Sequence, residues 1–215
     1  MVATKSSCTR VVAALACTVI AVASTQLPAS RAASAPPEPQ LVTLAPICAE
    51  PPSFLGRELR FRFQFESELA TWNPYLTRFG SDDYRAMRVW SDEQMLWRRE
   101  DWDAPLAVLF VRRGGDAAKA LDHAPKYARF EVVGRVRQVF LGLPWIEIER
   151  AERLVPEIGE GALLHASRAL QLMAAEHWQL AGEDLDRALI GNLPEPARAE
   201  LLRLRDDCKA HARRL

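Results

Sequence analysis

The alternation of apolar and polar side chains predicts five β-strands in the middle of the chain. In the first strand, at residues 55–65, Phe61 and Phe63 are separated by Arg62 and Leu59 precedes them at the same spacing. Side chains of a strand point alternately to its two faces, so this pattern is typical of a strand buried on one side. The other strands are predicted at residues 84–90, 106–111, 127–139 and 144–149, with a short helix at 116–121.

A glycine interrupts the fourth predicted strand. Gly134 occupies a position at which Val132 and Val136 are the neighbours on the same face. A glycine inside a strand marks a bend, a bulge or the close approach of another backbone. We therefore expect Gly134, together with the corner at Pro144 and Trp145, to let the last two strands bend and close a small barrel.

The spacing of apolar residues changes after Pro156 from that of a strand to that of a helix. Helices are predicted at residues 161–175, 178–190 and 196–213. No helix breaker separates Met173 from Trp178. The sequence therefore leaves open whether residues 161–190 form two helices or one.

The order of the five strands resembles that of the OB barrel, a small Greek-key barrel. The residues that carry the resemblance are Tyr127-x-Arg129-Phe130-x-Val132-x-Gly134-x-Val136 and Pro144-Trp145-Ile146-x-Ile148. They look like the closing strands of OB domains of the tRNA-anticodon-binding type, which include exported bacterial versions without assigned chemistry. The resemblance covers roughly residues 55–154. It implies a fold used for binding, and no contact residue can be carried over from it.

The helical part resembles one tetratricopeptide repeat followed by a capping helix. The chain departs from the repeat at His165 and Arg168, where the repeat prefers apolar residues. One repeat cannot bury its apolar face alone, so the resemblance implies a helical hairpin that packs on the barrel or on a partner. The matching packing positions are Ala169, Trp178, Ala181, Leu185 and Ala188.

The expected fold class is therefore α+β, with a five-stranded antiparallel OB-like β-barrel followed by a C-terminal helical hairpin plus one capping helix. We expect a signal peptide at residues 1–23 and a Pro/Ala-rich disordered tether at 24–53, within which residues 41–47 form an apolar group suited to dock on the domain. The OB-like barrel is expected at 54–156 and the tetratricopeptide-like segment at 157–215.

The N-terminal residues have the form of an export signal. Lys5 and Arg10 precede an apolar run at residues 11–23. This run is shorter than the ~20 residues that a membrane-spanning helix needs. We therefore expect a protein of the periplasm or cell envelope, or a secreted one, with no permanent membrane span after cleavage. The exact cleavage site and the lipidation of Cys17 stay open.

Two cysteines remain after the expected cleavage, Cys48 and Cys208. Exported proteins meet oxidising conditions, so these two residues can form one disulfide. The alternative is that both are small buried side chains, and Cys208 does lie on an apolar helical stripe with Leu201 and Leu204. The sequence does not decide between the two.

Composition argues against several classes of function. The 28 basic and 28 acidic side chains cancel, so no overall field attracts a polyanion and nucleic acid is not the expected partner. The four histidines lie in no metal-binding or catalytic motif. We therefore expect no enzymatic activity, no catalytic residue, no cofactor and no metal.

A ligand-binding face is predicted around the second strand, because aromatic and arginine side chains concentrate there and in its flanking loops. Such groups let OB barrels stack single strands or sugars. The alternative is that the tryptophans cover the barrel ends or the helical hairpin. The residues of this predicted face are Tyr84, Arg88 and Trp90 on the strand, and Trp72, Trp97, Arg98 and Arg99 in the loops.

These observations predict an exported, non-catalytic binding module whose partner is another envelope protein. The alternative is binding of a single-stranded oligonucleotide or an oligosaccharide on the strand-two face. A hydrolase without a recognisable motif is the second alternative. The sequence does not indicate an oligomeric state.

Overall fold

The computed structural model describes residues 39–73, 75, 77–155 and 157–213. The predicted signal peptide and residues 24–38 of the predicted tether lie outside the described residues. The strands are β1 (Glu58–Leu69), β2 (Tyr84–Ser91), β3 (Leu106–Arg112), β4 (Arg129–Phe140) and β5 (Leu143–Leu154). The helices are α1 (Leu44–Ala49), α2 (Arg99–Trp102), α3 (Asp116–Leu121), α4 (Glu160–Ala174), α5 (Trp178–Leu189) and α6 (Glu195–Ala212), with short 3₁₀ turns at Pro51–Phe54 and Thr77–Phe79.

The five strands form one mixed sheet that closes on itself in the order β1-β2-β3-β5-β4. Four neighbouring pairs are antiparallel, whereas β3 and β5 run parallel. The expectation of a wholly antiparallel barrel is therefore wrong in one pair. The reason is geometric, because strand directions cannot alternate all the way round a closed ring with an odd number of strands. The chain is α+β, and this closed sheet followed by helices is compatible with an OB-like fold.

The interior of the closed sheet holds the apolar residues that the strand pattern assigned to one face. They include Phe61, Phe63, Met87, Phe130 and Ile146, each at most 1% exposed. Burying side chains of this size stabilises the fold by about 1.5–3 kcal/mol each. The strand alternation therefore identifies the residues that hold the sheet closed.

Residues just before the sheet are ordered, although the sequence predicts a tether as far as residue 53. Leu44 and Ile47 on α1 are fully buried against the sheet interior. The backbone N–H of Val42 also donates a hydrogen bond to the Arg60 carbonyl oxygen at 2.8 Å. Leu44 and Ile47 thus dock on the sheet, and within the described part of the predicted tether the structure contains α1 and a 3₁₀ turn at Pro51–Phe54.

Gly134 lies on β4 opposite Ile148 of β5, where the two backbones approach closely. The pairing register between the two strands shifts at Val133 and Gly134. A Cβ atom at Gly134 would lie only 2.7 Å from the backbone oxygen of Glu147 and 3.2 Å from the Ile146 Cγ2. The predicted bulge and close backbone approach are therefore confirmed.

Residues 161–190 form two helices rather than one. Helix α4 ends at Ala174 and α5 begins at Trp178. Glu176, between them, has a φ of 63°, which a helix cannot continue through. The tetratricopeptide-spaced residues Ala169, Ala181, Leu185 and Ala188 are all fully buried. None of the described helices is both long enough and apolar enough to cross a membrane.

The two departures from the repeat pattern meet at a buried carboxylate. Asp184 on α5 is 1% exposed. Its Oδ1 lies 3.0 Å from His165 Nδ1 and from an Arg187 nitrogen, and its Oδ2 lies 3.2 Å from Arg168 Nε. Burial opposes ionisation of Asp184, but the His165 and Arg187 hydrogen bonds and the Arg168 charge outweigh it and lower the pKa of the carboxyl. His165 and Arg168 thus join α4 to α5 by polar contacts where the repeat uses apolar ones.

Asp184→Asn is expected to destabilise the helical part by about 1–3 kcal/mol, because the charged partners lose their carboxylate at a buried position. Since the pKa of Asp184 is lower in the folded chain, its contribution is present above the pKa of an unfolded aspartate and is lost as pH falls through the folded value. Denaturant unfolding near neutral and at acidic pH measures both effects. Asp186→Asn is the matched control, because that carboxylate is 55% exposed. Equal stability of the two variants at neutral pH would contradict the assignment.

The structure records Cys48 on α1 and Cys208 on α6 as free thiols, and a bridge between them stays a prediction. Cys208 is 1% exposed and packs among the helices. Cys48 is half-buried on α1, whose apolar residues belong to the separate interior of the sheet. Burial raises the pKa of both thiols, which keeps them in the unreactive protonated form.

Candidate binding groove

The structure divides the predicted strand-two face into separate environments. Tyr84 is 6% exposed and packs with Phe79, Phe110 and Trp145 on the outer side of the sheet. Trp72 joins this cluster, and its indole N–H donates to the Phe79 carbonyl oxygen at 2.7 Å. Residues of the loop between β1 and β2 thus cover the Tyr84 end of the predicted face.

The other end of β2 is covered by the helices and by the β2–β3 connection. Trp90 is 1% exposed and Trp97 is 5% exposed, and both belong to the apolar cluster of α4, α5 and α6. Between Tyr84 and Trp90, Arg88 keeps 40% of its side chain exposed and lies 3.4 Å from Glu66. The alternative, in which tryptophans cover the sheet and the hairpin, therefore describes Trp72, Trp90 and Trp97.

Three of the predicted residues do come together, at a groove between the β2–β3 connection and α4. Trp97, Arg98 and Arg99 line it together with Trp102 and Tyr127, and its volume is about 370 Å³. The opposite wall is one face of α4, because its residues recur at helical spacing. These α4 residues are Glu160, Leu163, Leu164, Ser167 and Gln171. We call this site the α4 groove.

The β2–β3 connection is held in shape by its own polar side chains. The Gln94 amide nitrogen donates to the carbonyl oxygens of Asp101 at 3.2 Å and Ala104 at 3.0 Å, and its oxygen accepts from the Ser91 backbone N–H at 2.8 Å. The Asp101 carboxylate accepts from the Met95 backbone N–H at 2.9 Å. The aromatic wall of the groove is therefore preorganised, which lowers the entropy cost of binding.

The charged rim of the groove is largely paired within the chain. Arg98 forms an ion pair with Glu200 on α6, and Arg99 pairs with Asp103 at 2.7 Å while 89% of its side chain stays exposed. Burial, followed by the negative charges of Glu160 and Glu66, raises the pKa of Tyr127. The lining is thus mainly aromatic and aliphatic, with balanced charges at the edge.

Two further observations bear on what the groove can hold. Leu164 is 65% exposed although it follows the buried Leu163. The indole nitrogen of Trp97 is buried and has no hydrogen-bond partner among the described residues. Within those residues, no cluster of histidine, cysteine, aspartate or glutamate is arranged to hold a metal ion. The exposed Leu164 beside the aromatic wall makes the groove suited to apolar side chains.

Of the residues that line this groove, the sequence pattern singles out Trp97, Arg98 and Arg99 and misses the others. Trp102 lies in the β2–β3 connection close to the predicted residues, Tyr127 falls in the fourth predicted strand, and the α4 residues lie in or next to the first predicted helix. A signal that could have found α4 is the adjacent pair Leu163 and Leu164, because neighbouring residues point about 100° apart around a helix and one of them can fall at the edge of the buried stripe. Which exposed leucine faces a groove depends on the tertiary arrangement.

Comparison with models of known protein families gives no match for the chain, and comparison with curated proteins gives none either.

Proposed function

We propose that the chain is an exported, non-catalytic binding module, built from an OB-like barrel and a tetratricopeptide-like hairpin with a capping helix. Its proposed partner is another protein of the cell envelope. The strand order β1-β2-β3-β5-β4 and the helix α3 before β4 support the OB-like assignment. The buried Ala169, Ala181, Leu185 and Ala188 support the assignment of the hairpin. The export proposal rests on the sequence of residues 1–23.

The observation that carries the binding proposal is Leu164, a leucine with 65% exposure at a groove whose other wall is aromatic. Exposed apolar surface bordered by charged residues is typical of protein interaction sites. A partner segment would place apolar side chains between Leu164 and Trp102, next to the exposed Arg99. Tyr84 and Trp90 are buried, so a sugar or nucleic-acid base would have to displace the residues that cover them.

Leu164→Asp is expected to weaken partner binding at least about tenfold, because it places a charge where apolar side chains would be desolvated. Leu180→Asp is the matched control, since Leu180 is 52% exposed on α5 and lies outside the groove. A photo-crosslinking amino acid at Gln171 in the full chain, expressed in the exporting cell, would identify the partner. Crosslinked protein should disappear in the Leu164→Asp variant and remain in Leu180→Asp.

A different result would overturn this proposal. If crosslinking at Gln171 captures one protein equally in both variants, the α4 groove is not its binding site. If the purified chain instead binds an oligosaccharide and Leu164→Asp removes that binding, the ligand is a polymer and the adaptor role is wrong. Recovery of the chain with an intact N-terminus from the cytoplasm would refute export.

A further inference from the structure

Three aromatic rings pack against one another beside the α4 groove, and a cation of the same chain lies over them. The rings are Trp90, Trp102 and Tyr127, with centroids 5.2 Å apart for the two tryptophans and 5.9 Å apart for each pair with Tyr127. Lys126 Nζ lies 5.4 Å from the Trp90 centroid, 4.5 Å from Trp102 and 5.6 Å from Tyr127. We call the three rings the aromatic triad.

The shape of the triad is imposed by the surrounding backbone. The Trp90 indole N–H donates to the Trp102 carbonyl oxygen at 3.1 Å, and the Tyr127 backbone N–H donates to the Phe65 carbonyl oxygen at 2.8 Å. Tyr127 has a φ of 71°, a left-handed conformation that a bulky residue rarely adopts. Such a conformation persists only where neighbouring contacts impose it, and it is found at binding sites. The three rings are therefore preorganised around the position of the ammonium group.

Lys126 is held less firmly than the rings beneath it. Its side chain is 42% exposed, and its Nζ lies 3.9 Å from a carboxylate oxygen of Glu66. Glu66 also pairs with Arg88 at 3.4 Å, so it keeps a cationic partner if Lys126 leaves. Because Lys126 is exposed and its distance to Glu66 is long for an ion pair, this contact contributes little to stability. A primary ammonium is strongly hydrated, so water can replace the rings around Lys126 at small cost.

The electrostatic surroundings favour a cation at the triad. The carboxylates of Glu160 and Glu66 act on Tyr127 from two different elements, α4 and β1. An organic cation held against ring faces gains from the ring quadrupoles, and quaternary ammonium groups are the ligands that aromatic cages bind most characteristically. A quaternary group also has no N–H that would lose hydrogen bonds to water.

We propose that the aromatic triad is a binding site for a small quaternary ammonium group, and that Lys126 is an intramolecular plug that such a ligand displaces. This inference goes beyond the proposed function and does not depend on a protein partner in the α4 groove. Lys126 occupies the position of the ligand nitrogen in the structure. Removing the plug therefore opens a preformed site rather than creating a new one.

Titration of the purified chain with tetramethylammonium chloride, followed by tryptophan fluorescence, tests the proposal. Sodium chloride at equal concentration is the control for ionic strength. The parent should show a saturable change, and Lys126→Ala should bind about tenfold more tightly, because no side chain has to be displaced from the rings. Trp102→Ala should lose the response while keeping the circular dichroism of the parent.

The Lys126→Ala result decides the matter even if Trp102→Ala does not fold. If Lys126→Ala binds no more tightly than the parent, Lys126 is not a plug, and if neither responds beyond sodium chloride, the triad is not a cation site. A further comparison separates the sources of the group. Binding of free choline assigns a small solute, whereas binding only to phosphatidylcholine vesicles, and not to phosphatidylglycerol vesicles, assigns a lipid headgroup.

Discussion

Gly134→Val is expected to cost the chain 3 kcal/mol or more, at or beyond the upper end of the ~1–3 kcal/mol typical of overpacking. The new Cβ would lie 2.7 Å from the backbone oxygen of Glu147, and a backbone atom in a paired strand cannot rotate away as a side chain can. The branched carbons would also press on Ile146, which is fully buried. For a folded unit of this size, each kcal/mol lowers the melting temperature by about 2–4 °C.

Gly80→Ala is the control for this prediction. A Cβ at Gly80 would meet nothing within 4 Å, so the melting temperature should stay close to that of the parent. Gly134→Ala should lie between Gly80→Ala and Gly134→Val, because it adds the close contact without the branched carbons. A Gly134→Val variant with the melting temperature of the parent would show that β4 and β5 can move apart at this point without cost. The closure of the sheet would then need another explanation.

Trp90→Ala should destabilise the protein by about 3–5 kcal/mol, the usual cost of deleting a large buried aromatic side chain. Trp90 is 1% exposed and lies where the end of β2 meets the helical cluster. The Trp102 carbonyl oxygen also loses its donor, the Trp90 indole N–H. Urea unfolding, with the slope compared between variants, measures the loss.

Tyr75→Ala is the matched control, because Tyr75 is a large aromatic side chain that is 76% exposed. It should change the stability by less than about 0.5 kcal/mol. Similar stabilities for Trp90→Ala and Tyr75→Ala would contradict the packing described here. Because of this expected cost, a loss of binding in Trp90→Ala would reflect unfolding and could not identify a ligand contact. A substitution at the exposed Leu164 can identify one.

The candidate site shows where sequence reasoning stops. The sequence predicts Arg98 and Arg99 as part of a ligand-binding face because they lie beside Trp97, and the structure places both at the α4 groove. Strand alternation predicts that Tyr84 and Trp90 lie on the same face of the second strand, and in β2 they do. Their exposure depends on what packs over the strand, which is Trp72 and Phe79 in the cluster of Tyr84 and the C-terminal helices in the cluster of Trp90.

The amino-acid sequence by itself determined the local structure of this protein. Local structure follows from contacts between residues close in the chain, so each segment can be predicted separately. The examples are the alternation along β1 and β4, the helical spacing after residue 156 and the missing side chain at Gly134. The parallel pairing of β3 with β5, the polar contacts of His165 and Arg168 with Asp184, and the placing of Lys126 over three rings were decided only by the tertiary structure. Each depends on residues that meet because the sheet closes and the helices pack, and no local pattern specifies which exposed side chains will then face one another.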